Sequence, residues 1–246
     1  MTSRRRFLAA AVAALAPTGA FAQARIDVMR FSALQAGAPL PVELKAYALE
    51  NQPRHTAYAL VADEGRTVLR ARADASSSGI IRELRADPAT HPILAWRWKA
   101  TRLVAKGDLA TREGDDYAAR LYVTFDLDTA LLGAADRMRI GLARMVYGPR
   151  VPVAALCYVW DGRAPVGTIV PNAYTDRVRM VVADSGPAKL GAWVSHERDV
   201  AADFRKAFAM EAPAVNAVIV STDTDNSGES VETYYGDISF TPRRPS

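Results

Sequence analysis

The chain has 246 residues, half of them hydrophobic and 24% charged, the balance of a globular protein and of neither a disordered nor a fibrous one. Its formal charge of +4 is set at the N-terminus: residues 1–22 carry Arg4, Arg5 and Arg6 and no acid, and taking these three from the 31 Lys and Arg leaves 28 against 27 Asp and Glu. With the two signs interspersed there is no local excess of cations to track phosphates, which excludes nucleic acid as a partner.

The first element is an address. Ser3-Arg4-Arg5-Arg6-Phe7-Leu8 opens an apolar run that continues to about Ala16, and Ala20-Phe21-Ala22 offers small residues at both positions a signal peptidase reads. The S-R-R-x-F-L pattern resembles a twin-arginine signal, so residues 1–22 are expected to be a signal peptide, cleaved before Gln23. The twin-arginine export machinery would be its partner and the bacterial periplasm its destination. The apolar run is shorter than the roughly 20 residues a membrane span needs, and no later stretch approaches that length, so no transmembrane span is expected in the mature chain.

From Gln23 onward the pattern is mostly of period two, that of strands with one face buried. Candidate strands are residues 57–62, 67–73, 79–84, 94–99, 117–125, 155–160, 178–183, 215–221 and 231–240. In one of them Leu94, Trp96 and Trp98 alternate with Ala95, Arg97 and Lys99; in another Tyr117, Ala119, Leu121, Val123 and Phe125 share a face that Arg120 and Tyr122 avoid. Two segments carry a helical period instead. Between Asp128 and Tyr147, residues Leu131, Ala134, Ala135, Met138, Leu142 and Met145 recur at three- and four-residue steps. Residues 199–208 are shorter, with Asp199 as N-cap. Neither helix belongs to a β-α-β alternation. The predicted fold is therefore all-β: an antiparallel β-sandwich of jelly-roll type with one or two inserted helices, forming a single domain over residues 23–246.

The motifs of dinucleotide enzymes, P-loop NTPases, zincins and α/β-hydrolases do not occur in the chain. The single cysteine, Cys157, lies in the apolar run Leu156-Cys157-Tyr158-Val159-Trp160, where a buried inert thiol is expected, and no intramolecular disulfide can form. His55, His91 and His196 are far apart in sequence and read as exposed.

What remains is a set of polar clusters at strand ends. Glu113-Gly114-Asp115-Asp116 leads into the strand of Arg120, and on a strand Asp115 and Asp116 would face opposite sides. The stretch from Ser221 to Glu229 opens like a calcium loop, with Asp223, Asp225, Ser227 and Gly228 at first, third, fifth and sixth positions. The twelfth position is Tyr234, where an EF-hand needs Glu, so the EF-hand fails. A looser oxygen cage around calcium on Asp223 and Asp225 stays open beside a hydrogen-bonded turn. The loop is expected near the 114–117 turn and Arg120, whose guanidinium could compensate its acids.

These residues carry a resemblance. Leu94-Ala95-Trp96-Arg97-Trp98-Lys99, Gly114-Asp115-Asp116-Tyr117-Ala118-Ala119-Arg120, Tyr158-Val159-Trp160, Asn172, Glu197-Arg198-Asp199-Val200, Thr222-Asp223-Thr224-Asp225-Asn226 and Tyr235-Gly236-Asp237-Ile238 resemble the bacterial DUF3047 family over about residues 31–240. The resemblance implies export and a β-sandwich and brings no catalytic residue. More loosely, the arrangement is similar to β-sandwich modules that bind carbohydrate. In such a protein tryptophans stack on sugar rings while carboxylates, amides and guanidinium groups bond the hydroxyls. The candidate ligand-binding residues are thus Trp96, Arg97, Trp98, Asp115, Asp116, Arg120, Asn172, Arg198, Asp223, Asp225, Asn226, Tyr235 and Asp237. If Trp96 and Trp98 are core instead, Arg97 and Lys99 line the outer face and, with Arg120, define a polar groove. The expected function is non-catalytic binding of a saccharide or cell-envelope polymer. The alternatives are a hydrolase or lyase using the Asp clusters, and a structural or protein-interaction domain, which would expose an apolar patch.

Overall fold

The computed structural model describes residues 25–49, 52–147 and 151–244, so the expected signal peptide lies outside the described residues. In chain order the strands are β1 (Ile26–Met29), β2 (Leu44–Tyr47), β3 (Ala57–Asp63), β4 (Arg66–Asp74), β5 (Ser77–Ala86), β6 (Ile93–Ala100) and β7 (Arg120–Phe125). Helix α1 (Ala134–Tyr147) follows, then β8 (Ala155–Asp161), β9 (Ile169–Pro171), β10 (Val178–Ser185), β11 (Val194–Asp199), helix α2 (Val200–Phe208), β12 (Val215–Asp223), β13 (Ser230–Tyr235) and β14 (Ile238–Thr241). They form two sheets, one ordered β1-β14-β6-β13-β4-β3 with β11 on the free edge of β6, the other β2-β5-β12-β7-β8-β10-β9. The fold is an all-β sandwich of jelly-roll type with inserted helices.

Alternation decides which side chains enter the space between the sheets. Leu94, Trp96, Trp98 and Ala100 of β6 meet Leu121, Val123 and Phe125 of β7, Leu156, Tyr158 and Trp160 of β8, and Val218 and Val220 of β12 in one core. The nine expected strands form, with two adjustments. Residues 117–119 precede the β7 ladder, and Tyr117 turns to the opposite side from Leu121 and Val123. The run 231–240 breaks into β13 and β14 at Gly236, whose N–H donates to Arg97 O. A Cβ at Gly236 would lie 2.5 Å from Arg97 Cγ and Nε, so any larger residue at the bend would have to displace the Arg97 side chain. The strands that period two does not reveal are β1, β2 and β9, of three or four residues, and the polar β11.

Pairing is antiparallel except between β8 and β10, which run parallel while β9 lies antiparallel on the far edge of β10. All seven residues of β8 are buried, because its outer face is covered too. There Ala155, Cys157 and Val159 cluster with Tyr117, Val178, Met180 and Val182 beneath Leu109 and Ala164. A sheet covered on both faces needs apolar residues in near-continuous runs, as Ala155 to Trp160 provides.

The 128–147 segment divides into a short 3-10 turn, Thr129–Leu131, and α1. Asp128 starts the turn by accepting from the Ala130 N–H. Asp199 caps α2 as expected, accepting from the Ala202 N–H at 2.9 Å, and Phe204 of α2 packs 4.4 Å from the Phe125 ring. Among the described residues no helix is long and apolar enough to cross a membrane.

Candidate functional site

Arg120 opens β7 on the side away from the main core, where the covered outer face of the second sheet makes it almost fully buried. Its Nε and Nη2 lie 2.8 and 2.7 Å from the two carboxylate oxygens of Asp223, at the end of the neighbouring strand β12. Nη1 lies 3.2 Å from Asp115 Oδ1 and 3.0 Å from the Tyr122 hydroxyl, and Nη2 also donates to the Asp115 carbonyl. The Tyr117 ring covers the guanidinium at 4.5 Å. Asn172 completes the shell, its amide donating to both Asp115 oxygens at 3.0 Å.

Asp115 and Asp116 stand in a turn and not on a strand, so the expectation that adjacent residues must diverge does not hold. The turn folds back on itself, with the Asp108 N–H donating to Gly114 O, and a Cβ at Gly114 would strike Asp108 at 2.6 Å. Asp116 accepts from the backbone N–H groups of Asn226 (3.3 Å) and Ser227 (2.6 Å), which pins the 223–229 loop to the 114–117 turn as expected. Asp225 points outward and accepts from Gln52 Nε2 at 2.7 Å. Oxygens of Asp116, Asp223 and Asp225 come within 4.8 Å of one another, the one grouping among the described residues that could offer a cation three carboxylates.

The network carries more acid than base. Burial raises the Asp223 carboxyl to about 8; Arg120 opposes that shift, and the crowding of Asp116, Asp115 and Asp225 reinforces it. For Arg120 burial favours the neutral form, yet the attraction of Asp115 and Asp223 prevails and holds the guanidinium charged. Beneath them burial pushes the Cys157 thiol up to about 12, the inert buried cysteine the sequence implies.

The tryptophan pair lies elsewhere. Trp96 and Trp98 are 3% and 0% exposed, so they are core and cannot stack on a ligand. Trp96 packs edge-on to Trp98 at 5.5 Å and against Tyr158 at 5.0 Å. On its other side it stacks on His196 at 4.7 Å. His196 is the cross-strand partner of Trp96, so the ladder itself turns it inward. The histidine read as exposed is thus drawn inside, its Nε2 2.7 Å from Asp184 Oδ2. Asp184 also accepts from Trp98 Nε1 and Lys189 Nζ. Burial alone would raise this carboxyl, but hydrogen bonds from His196, Trp98 and Lys189 hold it below the usual carboxylate range. One step along β11, Arg198 pairs with Asp203 of α2, which also accepts from Tyr158. The signal for both pairs was the alternation Val194-Ser195-His196-Glu197-Arg198-Asp199, a strand pattern in which the inward positions after Val194 are the polar His196 and Arg198.

Arg97 and Lys99 do line the outer face of β6, but Arg120 belongs to the opposite sheet, so the three do not define one groove. Arg97 stacks on Trp193 at 4.3 Å, and Lys99 pairs with Asp63 at 2.6 Å, where Trp193 Nε1 also donates. Tyr235 is fully buried, its hydroxyl donating to Ser221 O. Asp237 is bound to the Ser32 N–H and hydroxyl.

An open depression of about 650 Å³ lies on the outer face of the second sheet. Ile81 of β5, Phe125 of β7, and Ala217 and Ile219 of β12 contribute its apolar lining. Tyr47 of the edge strand, Glu83, Thr124, Asn216 and Asp126 add polar groups. Thr124 Oγ1 donates to Asn216 Oδ1, which orients that amide. None of the candidate ligand-binding residues lines this groove.

The family model described as "Protein of unknown function (DUF3047)" matches residues 43–239. The chain belongs to the DUF3047 family. No curated protein matches it. Among solved structures it is similar to the family 30 carbohydrate-binding module of a cellulosomal cellulase of Clostridium thermocellum, at a TM-score of 0.39 and 10% identity, over 90% of this chain and 99% of that one. The matched DUF3047 region contains the whole Arg120 network: Gly114 to Arg120 supplies the turn and the cation, Asn172 the amide, and Thr222 to Asn226 the facing acids. Seven candidates, Asp115, Asp116, Arg120, Asn172, Asp223, Asp225 and Asn226, therefore converge on one place. Trp96, Trp98 and Tyr235 serve the core, Arg198 pairs with Asp203 of α2, the Arg97 carbonyl accepts from the Gly236 N–H at the β13–β14 bend, and Asp237 holds Ser32.

Proposed function

We propose that this DUF3047 protein is an exported binding protein for a saccharide or cell-envelope polymer, held in the open groove on the outer face of the second sheet. The observation that supports the reading is the groove itself, about 650 Å³, with apolar side chains along β5, β7 and β12 and hydroxyl, amide and carboxylate groups around them. Sugar rings present apolar C–H faces ringed by hydroxyls, and this lining matches both parts. Tyr47, from the edge strand, is the one aromatic hydroxyl in the lining and the residue for stacking a ring. The acids that suggested hydrolysis lie outside the groove and are engaged by Arg120 and by backbone N–H groups.

Retention of the purified protein on isolated peptidoglycan sacculi, chitin and cellulose tests the reading. We expect retention on at least one of these polymers, with several-fold weaker binding by Tyr47→Ala and by Asn216→Ala at unchanged thermal stability. Failure to bind any polymer, or binding indifferent to both substitutions, would overturn it.

A further inference from the structure

The apolar stripe of α1 faces solvent. Ile140 is the side chain by which the middle of the helix enters the core, and Asp136 ties the same side to Arg177 at 3.3 Å. On the opposite side Met138, Leu142 and Met145 are 69%, 56% and 81% exposed, and Leu131 of the preceding turn is 72% exposed. Steps of three and four residues put the three helical side chains in one row. These four are among only nine large apolar side chains that the described residues expose, so the concentration is local.

At about 100° per residue, Arg137 and Arg139 flank Met138 on its two sides. Both are exposed; Arg137 also donates to the Leu132 carbonyl, and Arg139 lies 3.7 Å from one oxygen of Asp136, whose other oxygen meets Arg177. An outward apolar row bordered on both sides by guanidinium groups matches a lipid bilayer: acyl chains accept the row, and phosphates accept the arginines. A second copy of the chain would supply the apolar surface but would add further arginines at the border.

We propose that α1 lies in the interface of an anionic phospholipid bilayer, with Met138, Leu142 and Met145 at the acyl boundary and Arg137 and Arg139 at the headgroup phosphates. This attachment is independent of the saccharide reading, since none of these residues lines the groove.

A fluorophore sensitive to polarity, attached at position 142 in Leu142→Cys, tests it in the full chain. Labelling is selective because Cys157 is the only other thiol and is buried. A local probe also separates α1 from the apolar run Phe7 to Ala16, which could bind lipid by itself. With vesicles of phosphatidylglycerol and phosphatidylcholine we expect a blue shift and a rise in intensity, both suppressed by high salt. With phosphatidylcholine alone the response should be much weaker, and Arg139→Glu should weaken the response to anionic vesicles by about ten-fold. An emission spectrum unchanged by anionic vesicles would overturn the proposal. So would a shift that grows with protein concentration in the absence of vesicles, which would assign the row to a second copy.

Discussion

Arg120 of β7 and Asp223 of β12 form a bidentate ion pair, with contacts of 2.8 and 2.7 Å, across two adjacent strands at their buried ends. The pair joins the turn before β7 to the loop after β12. Asp115 closes it from one side, while Asp116 holds the loop through two backbone N–H groups. Neither carboxylate of the pair's shell points into the 650 Å³ groove, so its first consequence is for the fold.

Removing one member of a buried pair leaves the other charge without compensation. We therefore expect Arg120→Ala to destabilise the protein by about 3–5 kcal/mol in urea denaturation above about pH 8, where Asp223 is ionised. Adding Asp223→Ala should restore much of that loss, as a double-mutant cycle would register. Independent, additive losses would mean that the two side chains do not act as a pair.

Burial, opposed by Arg120 and reinforced by Asp116, Asp115 and Asp225, raises the Asp223 carboxyl from an ordinary 3.8 to about 8, so its pairing with Arg120 is fully ionic only above that pH. Between those values the folded chain holds a proton that the unfolded chain has released, so this group adds stability as pH falls from about 8 toward 4. Asp184 and Glu229 act in the opposite sense: their folded values are depressed, and their contribution is lost as pH falls through them. Asp223→Asn, neutral at every pH, should flatten the rise in denaturation midpoint that the wild-type protein shows from pH 8 to pH 5. Parallel pH profiles for the two proteins would count against a shared proton at this site.

The oxygens of Asp116, Asp223 and Asp225 are close enough for a cation, but those of Asp116 and Asp223 are already engaged by donors. Both oxygens of Asp223 face Arg120, those of Asp116 face backbone N–H groups, and calcium requires six to eight oxygen ligands. Millimolar calcium should accordingly leave the melting temperature where it is. A concentration-dependent increase that disappears in Asp225→Ala would instead place an ion here, since a ligand bound only by the native state raises its stability by mass action.

For export, the pattern Ser3-Arg4-Arg5-Arg6-Phe7-Leu8 leads us to expect that replacing Arg4 and Arg5 by Lys keeps the protein out of the periplasm. Fractionation of cells expressing the two forms measures this directly. Equal periplasmic accumulation would assign the segment to the general secretory route.

How far the sequence could be read depended on the range of the interaction concerned. Alternation along 94–99 put Trp96 and Trp98 on one face, Asp199 marked the start of α2, and the oxygen-rich stretch after residue 221 located a loop near the 114–117 turn, because strand period, capping and turn chemistry act between neighbours. Which sheet face is covered is a tertiary matter. Tyr117, Asp115 and Tyr122, brought together on the outer face of the second sheet, cover Arg120, and Arg97 and Lys99 belong to the other sheet. Pairing of β11 with β6 drew His196 inward, since a polar strand shows its register only against its partner. The period of α1 likewise established that an apolar row exists. Whether that row meets the core or the solvent was decided by Ile140, which entered the core on the other side of the helix.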